Sequence, residues 1–447
     1  MKGVPPRMKH CIGIRMETKD STQRRVPLSP EQIGTLIRDH RLRVRIQPMP
    51  KRVFAETDYE AMGAEVGEDL SECNVVFGVK EIDPRYMRDG MAYVFFSHTI
   101  KAQPYNMPML RYILDHRITL IDYELIKNDA GRRTVFFGNF AGLAGMIDSL
   151  WAMGQRLEHE GIASPFTDIQ YATRYDTLAD AETAFRRAGE RIRTEGLPDA
   201  ITPFICGFTG YGNVSKGAQH LYNLLPTVSL RPDELSAFMA RGAFSNHVVY
   251  AVEFREEDMF EPVDTGADFQ LQEFFDHPER YRSRFARYLP QLSMMVNGIY
   301  WEPRFPRLVT MESARALWGG PTPPRLRVIG DITCDIDGSI QLTVKETNSD
   351  NPVFVYEPLT GTVRDGVAGE GPVVLAVDKL PTELPREASA AFGASLLPYV
   401  PALAAVDFDV PFEELALPAD LTRAVIAHAG RLTPTYAYLQ PHVDAVG

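Results

Sequence analysis

Short apolar runs alternate with amphipathic stretches from the start of the chain. CIGIRM reads as a strand, PEQIGTLIRDH as a helix opened by Ser29-Pro30, and RVRIQP as a second strand. YEAMGAEV has helical spacing, NVVFGVK and AYVFFS are strands, NMPMLRYILDH is a helix and ITLIDY a strand. Strands regularly separated by helices have both faces of their sheet covered, which predicts a parallel α/β arrangement. Phe140 to His159 breaks the pattern with a long, strongly apolar helical stretch that has small residues at Ala141, Gly142, Ala144 and Gly145. It reads first as a close-packed core helix, and also as a helix leading from one domain into the next. PFICGFTGYGNVSKGAQHLYNLL then predicts a buried strand, a glycine turn and a helix. Arg241 to Pro290 is acidic and aromatic with weak periodicity, and reads as an insertion. RVIGDITCDI and PVVLAVDKL are further strands, LPREASAAFGASLLPYVPALA is helical, and the remainder reads as a helical tail.

The glycine turn carries the first chemistry. Gly210-Tyr211-Gly212 follows the apolar strand Phe204–Phe208 and precedes a helix from Val214. A dinucleotide site needs this context: one glycine for the tight turn, one to let the backbone approach the pyrophosphate, and a helix N-terminus to supply N–H donors. The third glycine is displaced, with Ser215 in its place and Gly217 two residues on. Gly210, Tyr211, Gly212, Asn213 and Val214 are therefore the candidate cofactor-binding residues. The next strand, Thr227–Leu230, is expected to end beside the adenine ribose, and Arg231 follows it. A guanidinium suits a ribose 2′-phosphate, which points to NADPH with NADH possible. Two Rossmann-like domains with a cleft between them are expected. The first would be discontinuous, residues 1–138 and 384–447, and would hold the substrate. The second, residues 139–383 with an inserted region near 241–290, would bind the dinucleotide.

Composition narrows the partners. A length of 447 residues suits two or three domains, and a hydrophobic fraction of 45% can fill their cores without disulfides. The net charge of -12 argues against nucleic acid or an anionic membrane surface as partner. The N-terminus lacks the apolar stretch of a secretory signal, and with no run of about 18 apolar residues no membrane span is expected. Cys11, Cys73, Cys206 and Cys334 form no CxxC or Cys/His cluster, as expected of buried thiols in a reducing, cytoplasmic setting. Paired metal-ligand spacing is not found, so no metal is expected. Oligomeric state cannot be read from the sequence.

Polar residues collect at strand ends in the first domain. Lys80 ends NVVFGVK, His98 and Lys101 follow AYVFFS, Glu124 ends ITLIDYE, and Arg132-Arg133 follow NDAG. In a parallel sheet such positions share the carboxyl edge, where ligands bind. GIRMETKDSTQRRVPLSP, FGVKE, FFSHTIKAQ, LIDYE, FGNFAGLAGMI, FTGYGNVSKGAQ, MVNGIYWE and LPTELPREAS closely resemble the lysine–ketoglutarate reductase family. That is the reductase half of the bifunctional aminoadipic semialdehyde synthases, related to saccharopine dehydrogenases and more distantly to alanine dehydrogenase. The resemblance spans about Cys11 to Tyr438. It implies Lys80 and His98 as catalytic, with Glu124 tempering the lysine. It also implies Arg15, Lys101 and Arg133 as carboxylate-binding, and Asp378 beside the nicotinamide. The sequence departs from the family at Arg231, where relatives often carry Glu, and over Met259 to Phe275. The chemistry expected is condensation of the L-lysine ε-amine with 2-oxoglutarate, then hydride transfer from NADPH to give saccharopine. His and a lysine of depressed pKa both shuttle protons near neutral pH. The rival readings are the same chemistry on another amine and 2-oxo acid, or a catalytically silent dinucleotide-binding regulator.

Overall fold

The computed structural model describes residues 8–19 and 22–446. The chain divides into two compact units, one running to Phe137 and resuming at Pro385, the other Gly138–Leu384. In chain order the first unit begins with β1 (Met8–Ile14), α1 (Pro30–His40), β2 (Arg43–Ile46), α2 (Glu56–Ala61), β3 (Glu65–Val66) and β4 (Cys73–Phe77). It continues with β5 (Ala92–Phe95), α3 (Met107–Asp115) and β6 (Thr119–Asp122). The second unit opens with α4 (Phe140–His159), α5 (Leu178–Glu195), β7 (Ile205–Thr209), α6 (Asn213–Tyr222) and β8 (Thr227–Leu230). There follow α7 (Leu235–Arg241), β9 (Val249–Phe254) and the antiparallel ribbon β10 (Phe260–Pro262) and β11 (Tyr281–Ser283). Its later strands are β12 (Met294–Asn297), β13 (Val328–Asp331), β14 (Val353–Glu357), β15 (Thr362–Asp365) and β16 (Val373–Leu375). The chain then returns to the first unit with β17 (Val425–His428) and β18 (Arg431–Leu432).

The first sheet has the order β18-β17-β6-β5-β4-β1-β2-β3, parallel from β3 to β6 and antiparallel at β17 and β18. The chain starts in the middle at β1, builds outward to β3, then crosses to β4 and builds the other way. Strand order therefore reverses between β1 and β4, the place where such sheets open a crevice at their carboxyl edge. Every residue of β4, β5 and β6 is buried, because helices cover both faces, and the sequence is accordingly continuous rather than alternating. At α1 the Ser29 N–H donates to Gln32 Oε1 at 2.8 Å and the Gln32 N–H to Ser29 Oγ, a capping box with proline in the first turn.

The second sheet has the order β15-β14-β16-β13-β12-β7-β9-β8, parallel from β8 to β16, with the β14–β15 hairpin antiparallel at one edge. Both units are thus α/β with mostly parallel sheets, and the first sheet contains strands from both ends of the chain. Four readings need correction. Val249–Phe254, inside the stretch taken as an insertion, is a core strand between β7 and β8. The C-terminal tail is not simply helical, since β17 pairs with β6; its four buried residues are too short a run to stand out from the helical spacing around them. YEAMGAEV is split, with the helix ending at Ala61 and the chain turning at Gly63 (φ 95°) into β3. Finally, Pro385–Ala405 is long and apolar enough by composition to cross a membrane. Phe392, Leu396, Val400 and Leu403 are nevertheless fully buried in the first unit's core.

Candidate active site

The loops after β1, β4, β5 and β6, neighbours in the first sheet, carry most of the polar residues singled out above. Arg15 directly follows β1 and is 4% exposed. Its N–H donates to the Phe77 carbonyl at 3.0 Å and its Nη2 to Thr18 Oγ1 at 3.1 Å, while Nη1 is buried without a partner. Burial lowers the guanidinium's pKa, opposed by the charge of Glu17. Glu17, also buried, accepts from the Val79 N–H at 2.7 Å and the Lys80 N–H at 3.1 Å, so it fixes the backbone that presents Lys80. Burial raises the Glu17 pKa, with Arg15 pulling the other way. Gly78 keeps this corner tight, because a Cβ there would lie 3.2 Å from the Arg15 side chain.

His98 follows β5 in the left-handed region, φ 52°, a conformation that costs a non-glycine residue roughly 1–3 kcal/mol unless its surroundings hold it. Two contacts do so: Asn106 Nδ2 donates to the His98 carbonyl at 2.9 Å, and the Ser97 N–H donates to buried Asp122 at 2.9 Å. The ring's Nδ1 lies 2.7 Å from Glu81 Oε1, with Lys19 Nζ 3.6 Å from the same oxygen. Burial pushes Glu81 up, but the hydrogen bond and charge of His98, with Lys19, outweigh it and hold the carboxyl at about 2. An ionised Glu81 accepts from Nδ1–H and leaves Nε2 as the nitrogen that can exchange a proton. His98, Lys101 and Glu124 line one cavity of about 410 Å³, together with Lys19, Glu81 and Tyr105. Arg133 Nη1 donates to Glu124 Oε1 at 3.2 Å. Arg15 and Lys80 lie on neighbouring loops of the same sheet edge and are not among the lining residues of that cavity. Glu17 and Glu81 were missed in the sequence, although both stand inside GIRMETKDSTQ and FGVKE beside residues that were singled out.

In the second unit the glycine turn sits at the end of the central strand β7. Gly210 has φ 83°, which a side chain would strain. Gly212 is the N-cap of α6 and makes no side-chain cap, so the first N–H groups of the helix are left to another acceptor. A Cβ at Gly212 would meet no protein atom within 4 Å, which leaves room for a pyrophosphate to approach the backbone. Asn213 and Val214 begin the helix, and the residues present suit a dinucleotide. The displaced glycine packs helix on helix: a Cβ on Gly217 would lie 2.4 Å from the Asn139 carbonyl, and one on Gly142 1.8 Å from that of Val214.

Beneath the turn Asn297 ties three strand ends together, a role the sequence reading missed although MVNGIYWE contains it. Thr209 Oγ1 donates to Asn297 Oδ1 at 2.7 Å, and Asn297 Nδ2 donates to Asp331 Oδ1 and Ser339 Oγ, each at 2.9 Å. Asp378 is exposed just beyond β16, on the same carboxyl edge. Arg231 is not where the ribose argument needs it. It follows β8, the outermost strand, with β9 between β8 and β7, and its guanidinium is paired with Asp233 at the surface. Cys11 and Cys73, far apart in the sequence but on adjacent strands, bring their sulfurs to 3.6 Å as free thiols. Among the described residues no group of three or more His, Cys, Asp or Glu could hold a metal ion.

Residues 13–144 match the family described as alanine dehydrogenase/PNT, N-terminal domain. The chain is 38% identical over 445 residues to alpha-aminoadipic semialdehyde synthase of Arabidopsis thaliana, covering 96% of this chain and 41% of that protein. To the mitochondrial alpha-aminoadipic semialdehyde synthase of Rattus norvegicus it is 36% identical, covering 97% and 48%. It spans less than half the length of these relatives. Saccharopine dehydrogenase (NAD(+), L-lysine-forming) of Neurospora crassa is 27% identical over 400 residues, covering 87% of this chain and 89% of that protein. A solved L-alanine dehydrogenase is 18% identical, with a TM-score of 0.60 over 97% of this chain and 99% of that one, a likeness of fold. Over nearly its whole length the chain is thus similar to part of the alpha-aminoadipic semialdehyde synthases, with an alanine dehydrogenase/PNT N-terminal domain match over residues 13–144 and the fold of L-alanine dehydrogenase.

Proposed function

We propose that this protein is an NAD(P)-dependent oxidoreductase of the lysine–ketoglutarate reductase type, joining the ε-amine of L-lysine to 2-oxoglutarate to give saccharopine. The observation that carries the reading is the His98–Glu81 pair in a cavity shared with Lys101 and Glu124, at the carboxyl edge of a sheet in a chain with these relatives. Lys101, Arg133 and Arg15 are the carboxylate-binding residues. Lys80, with Glu124 tempering its charge, and His98 exchange the protons that free the amine and expel water as the carbon–nitrogen double bond forms. Glu81 fixes the ring of His98 so that Nε2 faces the reacting groups. Gly210 to Val214 hold the pyrophosphate, and Asp378 lies toward the nicotinamide. The bound nicotinamide supplies the hydride that reduces the carbon of the double bond, and its donor form is proposed as NADPH. A cytoplasmic setting belongs to the same proposal and rests on the free, mostly buried thiols.

The test is oxidation of NADPH by the purified protein with L-lysine and 2-oxoglutarate, with the product identified by mass. Saccharopine formation supports the reading. Turnover only with another amine or oxo acid replaces the substrates but keeps the chemistry. No turnover with any pair, together with dinucleotide binding, replaces the enzyme with a regulator.

A further inference from the structure

We infer that Arg255, rather than Arg231, reads the adenosine ribose and selects a 2′-phosphate; this rests on the dinucleotide reading of the glycine turn. In nucleotide-binding sheets the ribose meets the end of the strand hydrogen-bonded to the glycine-turn strand. The neighbours of β7 are β12 and β9. Since β12 leads on to the later strands, β9 takes the position of the ribose-reading strand. Thr209 is level with Phe254, and the Gly210 N–H donates to the Phe254 carbonyl at 3.0 Å. The next residue, Arg255, therefore leaves the sheet beside the first glycine of the turn. Arg231, one strand further out, is displaced by about 5 Å of strand spacing and already engaged by Asp233.

The side chain agrees with the backbone. The Arg255 guanidinium lies 5.0 Å from the centroid of the Tyr211 ring, so the residue between the two glycines holds the cation over the turn. Its contacts with Glu253 are long, 3.3 Å, and Glu253 is also engaged by Gln219 Nε2 at 2.9 Å. A phosphate offers the fork a shorter, bidentate pair. In the run Glu253 to Asp258, Arg255 is the single cation. Without it the site presents Glu253, Glu256 and Glu257, and a 2′-phosphate is repelled. Loss of Arg255 should then reverse the preference.

Calorimetric titration of the full chain with 2′,5′-ADP, 5′-AMP, NADPH and NADH tests this without relying on turnover. Wild type should bind 2′,5′-ADP at least about tenfold more tightly than 5′-AMP, a modest gain for a charge-assisted contact. Arg255→Leu should abolish or invert that ratio, Arg255→Lys should give an intermediate ratio, and Arg231→Leu should leave it unchanged. Equal affinity of wild type for the two fragments overturns the 2′-phosphate assignment while the dinucleotide site stands. Loss of the ratio in Arg231→Leu with Arg255→Leu unaffected overturns the choice of residue. If neither fragment nor dinucleotide binds, the reading of the glycine turn fails and takes this inference with it.

Discussion

Glu81 holds His98 with one oxygen while its other oxygen is buried without a partner, so the pair commits a charge to the interior in order to orient a ring. His98→Gln and Lys80→Met should each lower kcat by roughly 10², the usual size of an acid–base contribution. Glu81→Gln should lower it less, about tenfold, since the ring remains but turns. Lys101→Ala should chiefly raise the KM for the oxo acid, because a carboxylate contact acts in the ground state too. Steady-state kinetics with the proposed substrates reads all four. Equal KM effects in all of them would reduce the shuttle to a cationic patch. Glu81 also marks stability. Its folded pKa, about 2, lies below that of a free glutamate, so its contribution is present above the ordinary value near 4.3 and is lost as pH falls through about 2. The stability gap between wild type and Glu81→Gln, read as a difference in melting temperature, should therefore be widest at neutral pH and close toward pH 2. Lys80, His98 and Lys101 stand out in the sequence because strand-end polar residues interrupt apolar runs. Glu17 and Glu81 do not, because an acid beside a lysine reads as solvated until the fold buries it.

Two glycines that meet the start of α6, Gly142 on α4 and Gly212 at the N-cap, serve opposite ends. Gly142→Ala drives a Cβ into the Val214 carbonyl, so it should destabilise the protein by at least about 1–3 kcal/mol and weaken dinucleotide binding as α6 moves. Gly212→Ala meets no protein atom, so its unfolding curve should match wild type while dinucleotide binding falls. Urea unfolding beside dinucleotide titration separates the two; a destabilised Gly212→Ala would contradict the open approach. On α4, Asp148 is fully buried beside Glu383, which also accepts from Tyr171 and Ser349. Burial first, and then the charge of Glu383, raises the Asp148 pKa well above its ordinary value. A raised carboxyl contributes stability that is full below its unfolded pKa and lost as pH rises through its folded one. Asp148→Asn supplies an N–H to Glu383 without needing that proton, while its oxygen can still accept from the Ala172 N–H. The variant should gain in melting temperature relative to wild type as pH rises from 5 to 9, and a constant gap would argue against a shared proton.

At the scale of the whole molecule the C-terminal strand belongs to the first unit, although the chain between lies in the second. Leu421, Val425, Ile426, Leu439 and Val443 are fully buried. At about 1.5–3 kcal/mol for each such side chain, their loss rivals the entire stability of about 5–15 kcal/mol typical of a domain. A chain ending at Pro418 should therefore lose cooperative folding of the first unit, read as loss of its thermal transition, whereas a mere tail would be dispensable. The elements were written locally. Period and capping marked α1, α4 and α6, buried runs marked β1, β4 to β7 and β13, and the glycine turn announced itself between strand and helix. Periodicity reports which face a residue buries. It does not report which distant strand becomes its neighbour, because pairing is decided by hydrogen bonds between segments far apart in the chain. That is why the sequence placed the ribose at Arg231, whereas the insertion of β9 between β7 and β8 brings Arg255 beside Gly210. It is also why His98 could be proposed from its own segment, while the carboxylate that orients it was settled by the adjacency of β4 and β5.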